Sequence, residues 1–270
     1  MVKVNEIEYQ ERLGYTGKAP RFGIAFKFRA EEATTVVEDI LLQVGRTGVI
    51  TPVAKLRPVF LDGSTVSRAT LHNEEEIKRL DIRVGDTVII QKAGDIIPDI
   101  VRVLTELRPQ SAKLYAFPKF LDACGVGDGK PGAIERIPGQ AAYRCVNKNS
   151  FAQLRRRFHY FVGKNAFDIE GFGPKLVDLF LENNLLSSSA DIFTLKRGDL
   201  INLPRLGEKS IDNLLAAIEV SRSVTLPRFI TSLSINQVGE ETAEDLADHF
   251  GTINKLRQAK LADLEKIAGV

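Results

Sequence analysis

Hydrophobic positions change their spacing about midway along the chain. Between residues 33 and 106, runs rich in Val, Ile and Leu alternate with glycine-containing turns, as in "VVEDILLQVG" and "GDTVIIQKAGD". Such runs predict β-strands. Five or so strands around one short helix at "NEEEIKRL", with Asn73 as its N-cap, favour an oligonucleotide-binding (OB) barrel. A small SH3-like barrel fits the same composition nearly as well.

After residue 150 the apolar residues recur every three or four positions. This spacing is clear from Ile211 to Ile218 and again from Ala243 to Phe250, and it predicts amphipathic helices. Gly251 directly follows the second run and predicts the end of that helix.

A repeat underlies this helical part. Four apolar residues stand 34, 32 and 32 residues apart, namely Ile169, Leu203, Ile235 and Ile267. The first three are followed four residues later by a glycine: Gly173, Gly207 and Gly239. The stretch "DLINLPRL" also aligns with "DLEKIAGV" in the same phase. Each unit therefore predicts a helix, a short glycine hairpin and a second helix.

A tight bend that leads into a helix leaves backbone N–H groups unpaired at the positive helix end. Such a bend binds anions, and glycine lets a phosphate come close. The candidate residues are Gly171, Gly173, Lys175, Gly207, Lys209, Gly239 and, in the fourth bend, Gly269. The alternative is a helical bundle whose glycines only close turns. The third bend has Glu240 and Glu241 where cations would help.

Composition adds little to this picture. The chain is 44% hydrophobic and 27% charged, with a net charge of +2, so any phosphate-binding surface must be local. No apolar run approaches the roughly 18 residues that cross a bilayer, and no signal peptide is recognisable. Two cysteines and no tryptophan favour a reducing, cytoplasmic setting.

Three segments together resemble bacterial NAD-dependent DNA ligase, and the match is colinear over nearly the whole chain. They are "KAPRFGIAFKF", "VGRTGVITPVA" and "LDGSTVSRATLHNEEEIKRLDIRVGDTVIIQKAGDIIP". The resemblance implies a multidomain α+β chain. Its parts would be the end of an adenylation domain (1–30), an OB-fold domain (31–108), a degenerate zinc-finger segment (109–152) and an all-α domain of four tandem helix-hairpin-helix repeats, the last truncated (153–270).

The same resemblance implies roles for two early lysines. Lys3 in "VKVN" and Lys27 in "AFKF" match catalytic, nucleotide-binding lysines of the family, which uses NAD and Mg²⁺ as cofactors. Without the family, each lysine would be interpreted as a surface charge. The K-x-D-G nucleophile motif is absent, since "FLDGS" lacks its lysine. We therefore expect a missing N-terminal adenylation half and no reaction of this chain alone with NAD.

The family also places four zinc-binding cysteines after the barrel. At the corresponding positions this chain has Leu121, Cys124, Cys145 and Ser150. Two thiolates are too few for a stable structural zinc site, so we expect no zinc. A Cys124–Cys145 disulfide would be geometrically allowed, but we expect none in a reducing cytoplasm.

The resemblance further implies nicked double-stranded DNA as the partner of a monomeric protein acting in replication and repair. Outside the hairpins, Arg46 between two glycines and Lys92 before a turn are the candidate phosphate contacts. A basic run at residues 155–157 is either a further contact or a solvated helix face. The alternative function is a catalytically inert, ligase-derived module that binds nicked or structured DNA without sequence specificity.

Overall fold

The computed structural model describes residues 1–16, 19–26, 30–93, 97–126 and 129–267. The chain forms two compact units. The first unit comprises Met1–Gln43, Ile50–Pro118 and Arg136–Tyr143, and the second comprises Val44–Val49, Lys119–Glu135 and Arg144–Val270. The four-part division expected from the family stays a prediction.

The first unit begins with a small two-stranded sheet. Strand β1 (Val2–Lys3) pairs antiparallel with β2 (Gly23–Ile24), and helix α1 (Ile7–Leu13) lies between them in sequence. In this register Lys3 stands opposite Gly23.

A closed five-stranded barrel follows, which confirms the OB fold. Its elements are β3 (Glu32–Val44), β4 (Val49–Leu61), β5 (Ser64–Thr70), α2 (Glu74–Leu80), β6 (Thr87–Ala93) and β7 (Ile97–Val103). The strand order is β3–β6–β7–β5–β4, and a further pairing of β3 with β4 closes the ring. The barrel interior holds fully buried branched residues such as Val37, Leu56 and Ile90. As predicted, Asn73 caps α2 by accepting a hydrogen bond from the Glu76 amide at 2.9 Å.

The segment after the barrel contains three short strands. They are β8 (Phe120–Leu121), β9 (Gly132–Arg136) and β10 (Tyr143–Cys145), and β8 pairs antiparallel with β9. A 3-10 helix at Asp122–Cys124 follows β8. Our expectation of no disulfide was wrong: Cys124 and Cys145 are bonded to each other. Their Cα atoms lie 5.3 Å apart because the 3-10 helix and β10 meet there, and both side chains are buried.

The rest of the second unit is helical. Its helices are α3 (Phe151–Phe161), α4 (Pro174–Glu182), α5 (Arg197–Leu200), α6 (Glu208–Ser221), α7 (Leu226–Ser232), α8 (Glu240–Phe250), α9 (Ile253–Gln258) and α10 (Leu261–Leu264). Over the described ranges, none of the helices is long and apolar enough to cross a membrane.

Two apolar clusters hold these helices together. One gathers buried residues of α3, α4, α5 and α6, and the other gathers residues of α7 and α8 with Ile267. The predicted apolar faces are confirmed, since Ile211, Leu214 and Ile218 are buried in the first cluster and Phe250 in the second. Gly251 ends α8 in the left-handed conformation (φ 69°), as predicted.

Candidate nucleic-acid interface

Three bends of the helical part share one backbone geometry. Each connects a pair of helices: α3 to α4, α5 to α6, and α7 to α8. Each contains a residue in the left-handed region followed, two residues later, by a glycine that caps the next helix. The left-handed residues have φ of 76°, 66° and 65° and are Gly171, Arg205 and Gln237. The capping glycines are Gly173, Gly207 and Gly239, all extended.

The glycine repeat in the sequence predicted only part of this backbone geometry. In the first bend a glycine occupies the left-handed position, whereas the second and third bends place Arg205 and Gln237 there. A left-handed conformation costs a non-glycine residue roughly 1–2 kcal/mol, so the surrounding structure must impose it. What repeats along the chain is therefore the backbone path and the capping glycine.

The capping glycines are open toward solvent. A Cβ placed on Gly173, Gly207 or Gly239 would meet no atom within 4 Å. The carbonyl of each accepts a hydrogen bond from the amide four residues later, at 3.0–3.1 Å. The amides of the first two residues of each helix have no intrahelical acceptor, and the helix dipole makes this end positive. The amides of Leu176 and Ser210, the third residues of α4 and α6, donate to the carbonyls of Gly173 and Gly207. Each bend can therefore accept an anionic oxygen close to its backbone.

Cationic side chains accompany two of the three bends. Lys175 and Lys209 are each the second residue of their helix and are exposed. At the third bend Glu240 and Glu241 are the first two residues of α8. The fourth bend cannot be compared, because Gly269 lies outside the described residues.

The apolar residue that marks the repeat does not have the same environment throughout. Ile169 and Ile267 are buried, but Ile235 is 47% exposed. The echo between "DLINLPRL" and "DLEKIAGV" does recur in structure: the carboxylates of Asp199 and Asp263 accept hydrogen bonds from the Lys196 and Lys260 amides at the starts of α5 and α10.

Arg46 lies in the turn between β3 and β4. Its guanidinium carbon sits 4.0 Å from the centre of the Tyr160 ring, a cation–π arrangement. Its backbone carbonyl accepts a hydrogen bond from Arg157 Nε at 3.3 Å, and its own Nε is buried. The side chain is thus held by α3, and its contact with phosphate stays a prediction.

Lys92 is largely engaged inside the first unit. Its ammonium donates to the Asp62 carbonyl at 2.6 Å and lies 3.7 Å from the Asp62 carboxylate, with only 11% of the side chain exposed. Asp62 and Gly63 both have positive φ and form the tip of the β4–β5 hairpin. The D-G of "FLDGS" is therefore a hairpin turn, and a phosphate contact of Lys92 stays a prediction.

The basic run at residues 155–157 is partly structural. Arg155 forms an ion pair with Asp178 of α4, and His159 lies 2.8 Å from the same carboxylate. Burial raises the pKa of Asp178, but hydrogen bonds from Arg155 and His159 outweigh it, and the net direction is down. Arg157 donates to the Lys148 carbonyl at 2.9 Å.

Three family models match the chain. They describe the NAD-dependent DNA ligase adenylation domain (residues 1–31), the NAD-dependent DNA ligase OB-fold domain (34–112) and the helix-hairpin-helix motif (228–270). The chain belongs to the NAD-dependent DNA ligase family.

Individual ligases align along the full chain. The DNA ligase of Symbiobacterium thermophilum is 50% identical over 272 residues, covering 100% of this chain and 40% of that protein. The DNA ligases of Saccharophagus degradans and Halalkalibacterium halodurans are 47% and 45% identical, covering 99% and 98% of the chain and 39% of each protein. The chain thus spans about two fifths of the curated ligases that it matches.

The two lysines expected to face the nucleotide in a ligase can be placed only in part. Lys3 is exposed on β1. Lys27 lies outside the described residues.

The segment that would bind zinc does not fit a zinc ion. Cys124 and Cys145 are bonded to each other, and Leu121 in β8 has no donor atom. Ser150 is buried and caps α3 by accepting a hydrogen bond from the Gln153 amide at 3.4 Å. Within the described parts of the chain, no group of three or more His, Cys, Asp or Glu residues could hold a metal ion.

Proposed function

We propose that this chain is the part of an NAD-dependent DNA ligase that grips nicked double-stranded DNA. The supporting observation is the set of three bends with one backbone geometry and an open glycine at each helix start. Backbone amides and lysines bind phosphates of any sequence, as an enzyme sealing nicks in replication and repair requires. The cell compartment would be the cytoplasm, and the protein would act as a monomer.

The glycines themselves support this role. Gly207 has φ −81° and ψ 160°, which any residue adopts, and a side chain there would point into open space. The fold therefore does not require glycine at this position. Asn, Asp and Ser are better N-caps, so the absence of a side chain is best explained by something that approaches the backbone from outside.

NAD and Mg²⁺ would serve the complete enzyme. A lysine nucleophile within K-x-D-G forms the adenylated intermediate in this family, and the motif is absent here. Lys3 and Lys27 would contact nucleotide phosphate, where an ammonium stabilises developing charge. Because the K-x-D-G nucleophile is absent, we assign no reaction step to this chain alone and expect it to be inactive with NAD.

The test replaces Gly207 with Asp and, separately, with Asn. Both residues cap helices at least as well as glycine, so thermal stability should be unchanged or slightly higher. Gly207→Asp should weaken binding to a nicked duplex about tenfold or more, because like charges then meet at close range. Gly207→Asn should weaken it less.

The matched control is Gly198→Asp, which adds the same charge at an exposed position of α5 outside the bends. It should change affinity little. If the wild-type chain shows no salt-sensitive binding to nicked or intact duplex, the proposal fails. Equal effects of Gly207→Asp and Gly198→Asp would instead show that bulk charge, and not the bend, governs binding.

The second candidate function is an inert DNA-binding module, and the absent K-x-D-G motif favours it. Pre-adenylated nicked DNA with Mg²⁺ and without NAD distinguishes the two. Sealing would show that the chain completes the last step of ligation, whereas tight binding without sealing supports the inert module.

A further inference from the structure

A polar cluster connects the first bend to the third. The loop between α3 and α4 presents two backbone carbonyls to Arg228 of α7. Arg228 Nε donates to the Ala166 carbonyl at 2.8 Å, and Nη2 donates to the Lys164 carbonyl at 2.8 Å. The Asp168 carboxylate lies 3.6 Å from the same guanidinium. The planar guanidinium of Arg228 thus holds two carbonyls of the loop in fixed positions.

The second helix of the third bend holds the same loop. Asn165 Nδ2 donates to Glu240 Oε1 at 2.6 Å, and Glu240 is the first residue of α8. Both helices of the third bend, α7 and α8, therefore contact the α3–α4 loop just before the left-handed Gly171 of the first bend. This contact gives a physical reason for an acidic residue at a helix start where a phosphate-binding bend would favour a cation.

Helix α7 also makes an apolar contact with each side of this connection, because Phe229 packs against one apolar cluster and Ile230 lies in the other. The buried residues around the first two bends and those around the third form separate clusters. Phe229 of α7 packs at the edge of the first cluster, with its ring centre 6.4 Å from that of Phe167. The polar contacts of Arg228 and Asn165 add fixed distances and directions to this apolar packing.

We propose that Asn165, Asp168, Arg228 and Glu240, here named the hairpin clamp, fix the spacing between the first and third bends so that both bind one duplex at once. The clamp residues are positioning residues, and the proposal rests on the DNA-binding function proposed above. Two sites held at the right separation bind with a high effective concentration, and a loosened connection loses that advantage.

The Glu240→Ala variant tests the proposal, because two explanations predict opposite changes in DNA affinity. Removing a negative charge beside a phosphate site should tighten DNA binding if only electrostatics matters. If the clamp positions the bends, Glu240→Ala should weaken binding about tenfold. The slope of log K against log salt should then become shallower by about 1, because one phosphate contact is lost.

Glu241→Ala is the matched control. Glu241 is the next residue of α8 and is exposed, so this variant removes the same charge from the same helix turn. It should bind DNA slightly more tightly than wild type, with an unchanged salt slope. Circular dichroism melts of both variants check that the fold is retained.

Asn165→Ala removes the other partner of the bond without changing charge. It should reproduce the weaker affinity and shallower slope of Glu240→Ala, and the double variant should lose little more. If Glu240→Ala behaves like Glu241→Ala and Asn165→Ala like wild type, the clamp proposal is overturned while DNA binding stands. If the wild-type chain itself shows no salt-sensitive binding, both proposals fall.

Discussion

Replacing Arg108 by Met should be among the most damaging single changes to the first unit. The Asp86 carboxylate is fully buried, and Arg108 donates to both of its oxygens, through Nε at 2.8 Å and Nη2 at 3.0 Å. Arg108 also donates to the Asp81 carboxylate at 2.6 Å and to the Asp81 carbonyl at 2.6 Å. These bonds, with Asp86 first and Asp81 second, raise the pKa of Arg108 further above its ordinary value.

The size of the effect follows from what the substitution leaves behind. In Arg108→Met the Asp86 carboxylate keeps its hydrogen bond from the Arg83 amide at 2.8 Å but loses its countercharge. Leaving a buried charge without its partner costs about 3–5 kcal/mol of unfolding free energy. Adding Asp86→Asn removes that charge, so the double variant should be more stable than Arg108→Met alone.

Urea denaturation followed by circular dichroism measures these differences. Arg79→Met is the matched control, because Arg79 pairs with Glu76 but 64% of its side chain is exposed. An exposed pair of this kind contributes little to stability, because solvent screens it. If Arg108→Met costs no more than Arg79→Met, or if Asp86→Asn worsens it, the reasoning from an uncompensated buried charge is refuted.

Three further outcomes test other parts of the chain. Reduction of the disulfide, or replacement of Cys124 and Cys145 by serine, should destabilise the second unit by about 3 kcal/mol, because the cross-link closes a loop across 21 residues. Calorimetry measures this change, and an unchanged melting temperature in reductant contradicts the disulfide. Hydrogen bonds from Ser188 and its neighbour lower the pKa of Asp191 to about 2. The pKa of Asp in an unfolded chain is about 3.9, so the stabilisation by Asp191 is fully present above that pH and is lost as the pH falls toward 2. NMR titration of the Asp191 carboxyl measures the folded pKa. Arg205→Gly should keep or raise stability by up to about 1 kcal/mol in thermal denaturation, because the left-handed strain disappears; a clear loss contradicts that.

Elements governed by local periodicity could be predicted from the sequence. The barrel, the helix capped by Asn73 and the helices that start after Gly207 and Gly239 all follow from apolar spacing and end signals. In each case the signal lies within a few residues of the element that it specifies. The stop of α8 at Gly251 is of the same kind.

The partners of the candidate DNA contacts could not be predicted in this way. Lys92 binds Asp62, which is 30 residues distant in sequence. Arg46 stacks on Tyr160 of α3, a helix that comes after the whole barrel in the sequence. Neither a turn position nor a neighbouring glycine carries information about such a contact. The sequence suggested that these side chains point outward, and tertiary packing gives each a partner inside the protein.

Glycine placement in the bends separates what the fold needs from what a ligand needs. The left-handed positions, where glycine would relieve strain, hold Arg205 and Gln237 in two of the three bends. The capping positions, where the backbone suits any residue and a side chain would meet open space, hold glycine in all three. A purely structural turn would show the reverse preference. This distribution supports the proposal that a phosphate of DNA approaches the backbone closely at each helix start, where a side chain would be in its way.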